Sequence, residues 1–322
     1  MHGSNEIRRA TEVLRAGGLV AIPTETVYGL AADAENPTAV LKIFAAKGRP
    51  SFHPLIVHIA SAEALPQWAA SVPENARRLA ERFWPGPLTM ILPRRERVPG
   101  VVTGDLPTVG LRVPAHPLAQ ALLHDFGGGL AAPSANRFGR VSPTTAQHVR
   151  EELGDRVDLI LDGGPCQVGL ESTIVDLSGD TPVLLRPGAI TPEQLAEVLP
   201  NLALDANASG THCSGRLESH YAPQASVQIV LQDELDERIV AAQGPVAVLS
   251  NREPTSSAAF HWLPMPDDPI RYAQLLYSRL RELDERQIPL ALVVLPAEAG
   301  IGLAIADRVR KAAAPRPSTH AG

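Results

Sequence analysis

The sequence predicts an α/β protein of two domains, and three observations predict it. A chain of 322 residues is longer than one hydrophobic core usually serves. Short apolar runs that read as buried strands alternate with longer runs of helical pattern. Over residues 202–215 the alternation dissolves into small and polar residues, and then it resumes. The expected division is a first domain over 1–204, a linker that serves as a lid over 205–225, a smaller α/β domain over 226–315 and a frayed tail over 316–322.

Each element has a local reason. Ser4 is placed to cap a first helix that stops at Gly17-Gly18. Residues 19–22 read as a buried strand broken by Pro23. Asn36-Pro37 opens a helix, with Asn at the cap and Pro in the first turn, and Gly48 stops it. Residues 54–59 read as a strand, and 73–83 as a helix stopped by Trp84-Pro85-Gly86-Pro87. Strands follow at 88–92 and 109–113, a helix at 116–126 with three glycines behind it, and a short strand at 130–132. A helix at 146–153 precedes strands at 157–161, 173–177 and 183–185 and a helix at 192–198. The second domain reads as strands at 227–231, 246–249 and 290–295 with helices at 268–286 and 303–313.

Composition excludes several classes. Net charge is −6 and only 13 residues are aromatic, which argues against a broad nucleic-acid surface while leaving room for a local basic cleft. Cys166 and Cys213 are too few for a disulfide framework or a zinc finger and fit a reducing cytoplasm. No apolar run approaches the roughly 20 residues that a membrane span needs, and residues 4–16 lack a signal-peptide core. The histidines form no His-Glu-x-x-His motif or other metal-ligand spacing, so no metal site is expected.

Several constellations could carry chemistry. Of 29 basic residues only Lys42, Lys47 and Lys311 are lysines, so a lysine two residues from Arg49 hints that a compact ammonium is wanted. Pro50 pushes Arg49 out of the helical region, and an extended segment would put Lys47 and Arg49 on one face. The plain alternative is a helix C-terminus whose cations suit its dipole. Thr24 and Thr26 follow a buried strand, where an open α/β sheet binds ligands, or else they satisfy their own loop. Thr108, Gly110 and Arg112 alternate with Val109, Leu111 and Val113; the polar face is either solvated or a place where Gly110 admits a ligand. Ser134 and Asn136 are again two apart, and Ser142 could cap the next helix. Ser172 follows Glu171 at the start of a strand, and Arg186-Pro187-Gly188 closes one. His58 ends a strand. Four cations (Lys47, Arg49, Arg112, Arg186) thus emerge at element ends, as a phosphate-rich ligand needs where no Gly-x-x-x-x-Gly-Lys cradle exists. Gly300-Ile301-Gly302 copies part of a dinucleotide fingerprint but lacks its third glycine.

These stretches resemble one family, the threonylcarbamoyl-AMP synthases of YrdC type in their long, two-domain form. The likeness rests on eight motifs in order, at 23–30, 47–50, 54–58, 110–114, 132–136, 171–173, 185–188 and 220–223. It implies a YrdC-like twisted open mixed sheet with a concave basic cleft, followed by a smaller Rossmann-like α/β domain. It implies formation of threonylcarbamoyl-AMP and pyrophosphate from L-threonine, bicarbonate and ATP with Mg²⁺. It also implies hand-over of the product, in the cytoplasm, to proteins that modify tRNA. By motif, Thr26, His58, Arg112, Ala132 and Ser172 would contact threonine. Lys47, Arg49, His53, Thr108, Ser134, Asn136, Ser142, Arg186 and Tyr221 would line the ATP side, with Lys47 and Arg49 catalytic. His53 departs from the asparagine common in the family, Ser214 from a proline, and 306–308 lack a common asparagine. The rivals are a double-stranded RNA-binding or regulatory protein on the same fold, and a carbamoyltransferase with zinc-finger modules, for which two cysteines do not suffice.

Overall fold

The computed structural model of the chain describes residues 2–204 and 220–315. They divide into two units: residues 2–138 with 142–204, and residues 139–141 with 220–315. Most of the expected linker (205–219) and the tail (316–322) lie outside the described residues.

The first unit is built on one ten-stranded mixed sheet. Its strands are β1 (Val20–Ile22), β2 (Gly29–Asp33), β3 (Ile56–His58), β4 (Leu88–Pro93), β5 (Thr108–Arg112), β6 (Leu130–Ala131), β7 (Leu159–Ile160), β8 (Thr173–Asp176), β9 (Val183–Arg186) and β10 (Ala203–Leu204). Their spatial order is β10-β9-β8-β4-β5-β3-β6-β2-β1-β7. β3 and β5 run parallel, β4 antiparallel to β5, and β8 parallel to β4. β2 is absent from the sequence reading, which took its first residues as loop; the run Gly-Leu-Ala-Ala-Asp carries no β-branched residue to mark it.

The two faces of this sheet are covered unequally. One packs along its length against the helices Pro37–Lys47, Glu74–Phe83 and Ala146–Leu153 through Val40, Ile43, Leu79 and Val149. The other is covered over β7, β1, β2 and β6 by the helices His2–Arg15 and Pro117–Phe126, through Ile7, Leu14, Leu122 and Leu123. Past β6 the hydrophobic cluster on that face is made of strand residues alone: Ile91, Ile174 and Leu185, with Ile56 and Val183. That part of the sheet is where polar side chains can gather.

Most helix ends follow local rules. Asn36 caps Pro37–Lys47 by accepting from the Ala39 amide, and Gly48 ends it in the left-handed region at φ 62. Ser4 does not stand before the first helix: that helix begins at His2, so Ser4 sits exposed within its first turn.

The second unit holds four parallel strands, β11 (Ser226–Ile229), β12 (Val246–Ser250), β13 (His261–Pro264) and β14 (Leu290–Val293), in the order β11-β14-β12-β13. Strand β13 and the helix Leu235–Ala241 are additions to the sequence reading. Residues 139–141 count with this unit: the Ala222 amide donates to Gly139 O (3.0 Å), and Arg140 pairs with Asp284 (2.8 Å).

Asn36→Ala removes the cap that holds the helix carrying Lys47. The expected cost is about 1 kcal/mol, read as a lower urea midpoint with unchanged slope; an unchanged midpoint would show that tertiary packing alone sets this helix start.

Candidate active site

Five neighbouring strands each bring a polar side chain to the bare part of the sheet. Alternation puts Val57, Leu111 and Met90 in the main core and turns His58, Arg112 and Thr89 to the opposite face. Ser172 stands just before β8 and Arg186 ends β9, so the row continues across the sheet. Its members are joined: Thr89 Oγ1 lies 2.8 Å from Ser172 Oγ, and Arg186 donates to Ser172 O (3.0 Å) and Ser172 Oγ (3.1 Å). Gly188 passes so close that a Cβ there would meet the Thr173 amide nitrogen at 2.4 Å, which explains glycine behind Arg186-Pro187.

Arg112 is the centre of this row. It is 4% exposed, so the solvated alternative for the polar face of β5 does not hold. Its guanidinium donates to Glu25 Oε1 (2.6 Å), Thr26 Oγ1 (2.9 Å) and Gly86 O (3.2 Å). Glu25 in turn accepts from the Ala115 amide (2.9 Å) through its other oxygen, so each carboxylate oxygen has a partner. Thr24 Oγ1 lies 2.8 Å from Thr26 Oγ1 and donates to Val27 O (2.6 Å), so Thr24 fixes the loop while Thr26 faces Arg112. His58, on β3 level with Arg112, is pushed down to about 3 by burial and by the adjacent guanidinium, so its ring is neutral at physiological pH. His58 Nδ1 is buried with no hydrogen-bond partner among the described residues. Cys166 is no nucleophile here: burial, and then Glu25, push its thiol up to about 12.

The second polar group surrounds Lys47. This side chain is buried, and Nζ donates to Ser134 O (2.5 Å) and Asn136 O (2.6 Å). Burial, then the neighbouring Arg49, hold its ammonium well below the ordinary 10.5. Arg49 donates to Pro54 O (3.0 Å) and lies 5.9 Å from the Phe138 ring, which also approaches His53 (5.3 Å). The expected extended geometry is not what joins the two cations. Lys47 is the last helical residue, and the left-handed turn at Gly48 brings Arg49 round. Ser134 and Asn136 serve Lys47 through their carbonyls, not their side chains.

Ser142 does not cap the following helix. Thr145 does, accepting from the His148 amide, while Ser142 donates to Glu171 Oε1 (2.5 Å). That bond ties Ser142 to the residue before Ser172 and so to the Arg112 row. Thr108 is half-buried on the same face of β5 as Gly110, where a Cβ would meet only ordinary contacts with Thr89 and Ile56. Ala132 is buried, its amide donating to Ile56 O (3.0 Å). Tyr221 lies in the second unit, buried, with its ring 5.8 Å from Tyr277 and 5.3 Å from the Arg308 guanidinium. Glu25, Thr89 and Glu171 are the members that sequence reasoning did not select. A carboxylate between two threonines behind a buried strand, and a lone threonine in the apolar run 88–92, were the signals available.

Comparison with known proteins agrees with this architecture. A family model for Sua5, YciO and YrdC, described as "Telomere recombination", matches residues 12–188, and one described as "Threonylcarbamoyl-AMP synthase, C-terminal domain" matches residues 190–314. The chain is 40% identical to a threonylcarbamoyl-AMP synthase of Pyrococcus abyssi over 95% of its own length and 94% of the relative's. It is 41% identical to one of Bacillus subtilis over 97% and 94%. The crystal structure of P. abyssi Sua5 complexed with L-threonine superposes with a TM-score of 0.91 at 40% identity, covering 95% of this chain and 94% of that one.

Glu25→Ala leaves the Arg112 charge buried without its carboxylate. The expected loss is about 3–5 kcal/mol, read by urea unfolding. A loss below about 1 kcal/mol, the range of exposed pairs, would mean that water replaces the carboxylate.

Proposed function

The chain belongs to the threonylcarbamoyl-AMP synthase family, and we propose that its first unit joins L-threonine, bicarbonate and ATP into threonylcarbamoyl-AMP, releasing pyrophosphate. The observation that carries this reading is a buried polar row on one sheet face together with a second buried group of two cations, Lys47 and Arg49, in the same unit. His58 of the row His58–Arg112–Thr89–Ser172–Arg186 ends β3, and Arg49 of the second group donates to the Pro54 carbonyl, two residues before β3 begins.

Threonine sits at the row. Arg112 receives its carboxylate, with the guanidinium already oriented by Glu25, Thr26 and the Gly86 carbonyl. Thr26 and Ser172 offer hydroxyls, Ala132 gives an apolar contact, and the neutral ring of His58 adds a nitrogen with no other partner among the described residues. ATP runs toward Lys47 and Arg49, with Ser134, Asn136, Ser142, Arg186, Thr108 and His53 along its length. The threonine amine and bicarbonate form a carbamate, losing water. A carbamate oxygen then attacks the α-phosphorus, and the bond to the bridging oxygen breaks as pyrophosphate leaves. Negative charge grows on the phosphoryl oxygens in that step. Two fixed cations stabilise it, and orientation of three reactants contributes much of the remainder.

Magnesium would come with the nucleotide and would help neutralise its phosphates. Among the described residues no group of three His, Cys, Asp or Glu side chains gathers to cage a metal. The product passes to the proteins that carry out threonylcarbamoyl modification of tRNA, and the compartment is the cytoplasm. Among the described residues no helix is long and apolar enough to cross a membrane.

Pyrophosphate release from ATP is expected only when threonine and bicarbonate are both present; equal release with threonine omitted would overturn the reaction.

Lys47→Ala and Arg49→Ala are each expected to lower turnover by about 10²–10³-fold, the effect of removing one charge-stabilising donor. Steady-state pyrophosphate assays read this, and near-native turnover in both variants would return these cations to a helix-dipole role.

A further inference from the structure

The second unit contains a cavity of about 370 Å³ that the reaction of the first unit does not use. Its walls come from the residues that follow parallel strands: Asn251 and Arg252 after β12, Pro266 and Asp267 after β13, and residues 294–297 after β14. This is the carboxyl edge of the sheet. The chain leaving β14 enters the helix Gly302–Ala313, which packs toward β11, while the chain leaving β12 goes the other way, to β13. The two loops therefore diverge between adjacent strands β14 and β12, and a parallel sheet opens its ligand crevice at such a point. The partial glycine fingerprint belongs here too. A Cβ on Gly302 would meet Ala297 O at 1.9 Å, so glycine lets the helix start close beside a residue of the cavity wall.

The lining is chemically mixed in a definite way. Val294, Leu295, Pro296 and the ring of buried Tyr272 form an apolar side, and the Tyr272 hydroxyl is spent on Val294 O (2.9 Å). At the mouth stand one cation and one carboxylate. Arg252 is exposed, and its guanidinium makes no hydrogen bond or ion pair among the described residues. Asp267 accepts from Asn251 Nδ2 (2.6 Å) through Oδ1, which orients the carboxylate. Gln232 also lines the cavity, and its Oε1 is buried with no hydrogen-bond partner among the described residues. An apolar slot with an unpaired acceptor suits a base bearing an exocyclic amine. A carboxylate at the carboxyl edge of a parallel sheet suits ribose hydroxyls, and a guanidinium suits a phosphate. The volume lies in the range of small-molecule sites.

We propose that this cavity is a second ligand site, for a purine nucleoside monophosphate carrying an exocyclic amine, formed wholly within the second unit. The test is hydrogen exchange on the full chain with 5′-AMP as the probe. AMP is expected to slow exchange at 250–252, 265–267 and 294–297. Arg252→Ala and Asp267→Ala are each expected to raise the half-saturating AMP concentration by about tenfold, the effect of one charge-assisted bond, while pyrophosphate release stays intact as the check on folding. Lys47→Ala is expected to keep the protection, since the effect originates in the second unit. Inosine monophosphate, which lacks the amine, is expected to protect less. The proposal is overturned by any of four results: no protection by millimolar AMP; protection unchanged in both variants; the same protection from inorganic phosphate or L-threonine alone; or its loss in Lys47→Ala.

Discussion

The site depends on one buried ion pair, Arg112 with Glu25. A guanidinium at 4% exposure on a sheet face is tolerable only with its donors satisfied. Glu25, Thr26 and the Gly86 carbonyl satisfy three of the five, one on each nitrogen. The same bonds tie the loop after β1 to the end of β5 and, through Glu25 and the Ala115 amide, to the approach of the helix Pro117–Phe126. A buried pair of this kind contributes little net stability by itself. What it contributes is position, because any displacement of the loop strands a charge.

The row on either side of Arg112 follows from how the sheet is covered. Helices close one face completely and the other only as far as β6. On that face the remaining strands do not carry apolar residues throughout. Instead β5 carries Thr108, Gly110 and Arg112 on the bare face, β4 carries Thr89, and β3 ends in His58. Below them Ile91, Ile174 and Leu185 keep a small dry floor. Burial on that floor keeps His58 neutral beside a cation, and Ser172 holds Arg186 at the far end. The polar groups are thus largely bonded before any substrate arrives, which is the condition for electrostatic stabilisation without reorganisation.

Local chemistry was legible in the sequence and non-local pairing was not. Asn36-Pro37 and Gly48 declare a helix start and stop, and both are observed where side-chain chemistry puts them. Arg112 was recognisable as one polar member of an alternating strand, yet alternation alone left open whether its face met solvent or a ligand. Its burial comes from strand neighbours far apart in the chain, and a strand's register with them is not written in its own residues. Glu25 escaped selection for the same reason, since its partner lies 87 positions away. Ser142 was read as a cap because a serine before a helix usually is one. Thr145 is nearer and takes the role, which releases Ser142 to Glu171. β2 went unseen because small residues carry little strand preference, and only its pairing with β1 and β6 makes it a strand.

The retention of lysine at position 47 has a geometric cause. The chain uses arginine almost everywhere, and an arginine could equally complement the helix dipole. Here the ammonium sits buried between two carbonyls, Ser134 O and Asn136 O, both within 2.6 Å. An ammonium has three donors, so two secure the 134–136 loop to the helix end and one is left over. A guanidinium has five donors in a rigid plane, and this pocket offers acceptors for only part of that fork. Burial and Arg49 together depress the ammonium, so the charge is held at a cost that an incoming anion would relieve. Lys47 thereby links loop placement to the electrostatics of the site, and a compact charge is the only form of basic side chain that meets both demands.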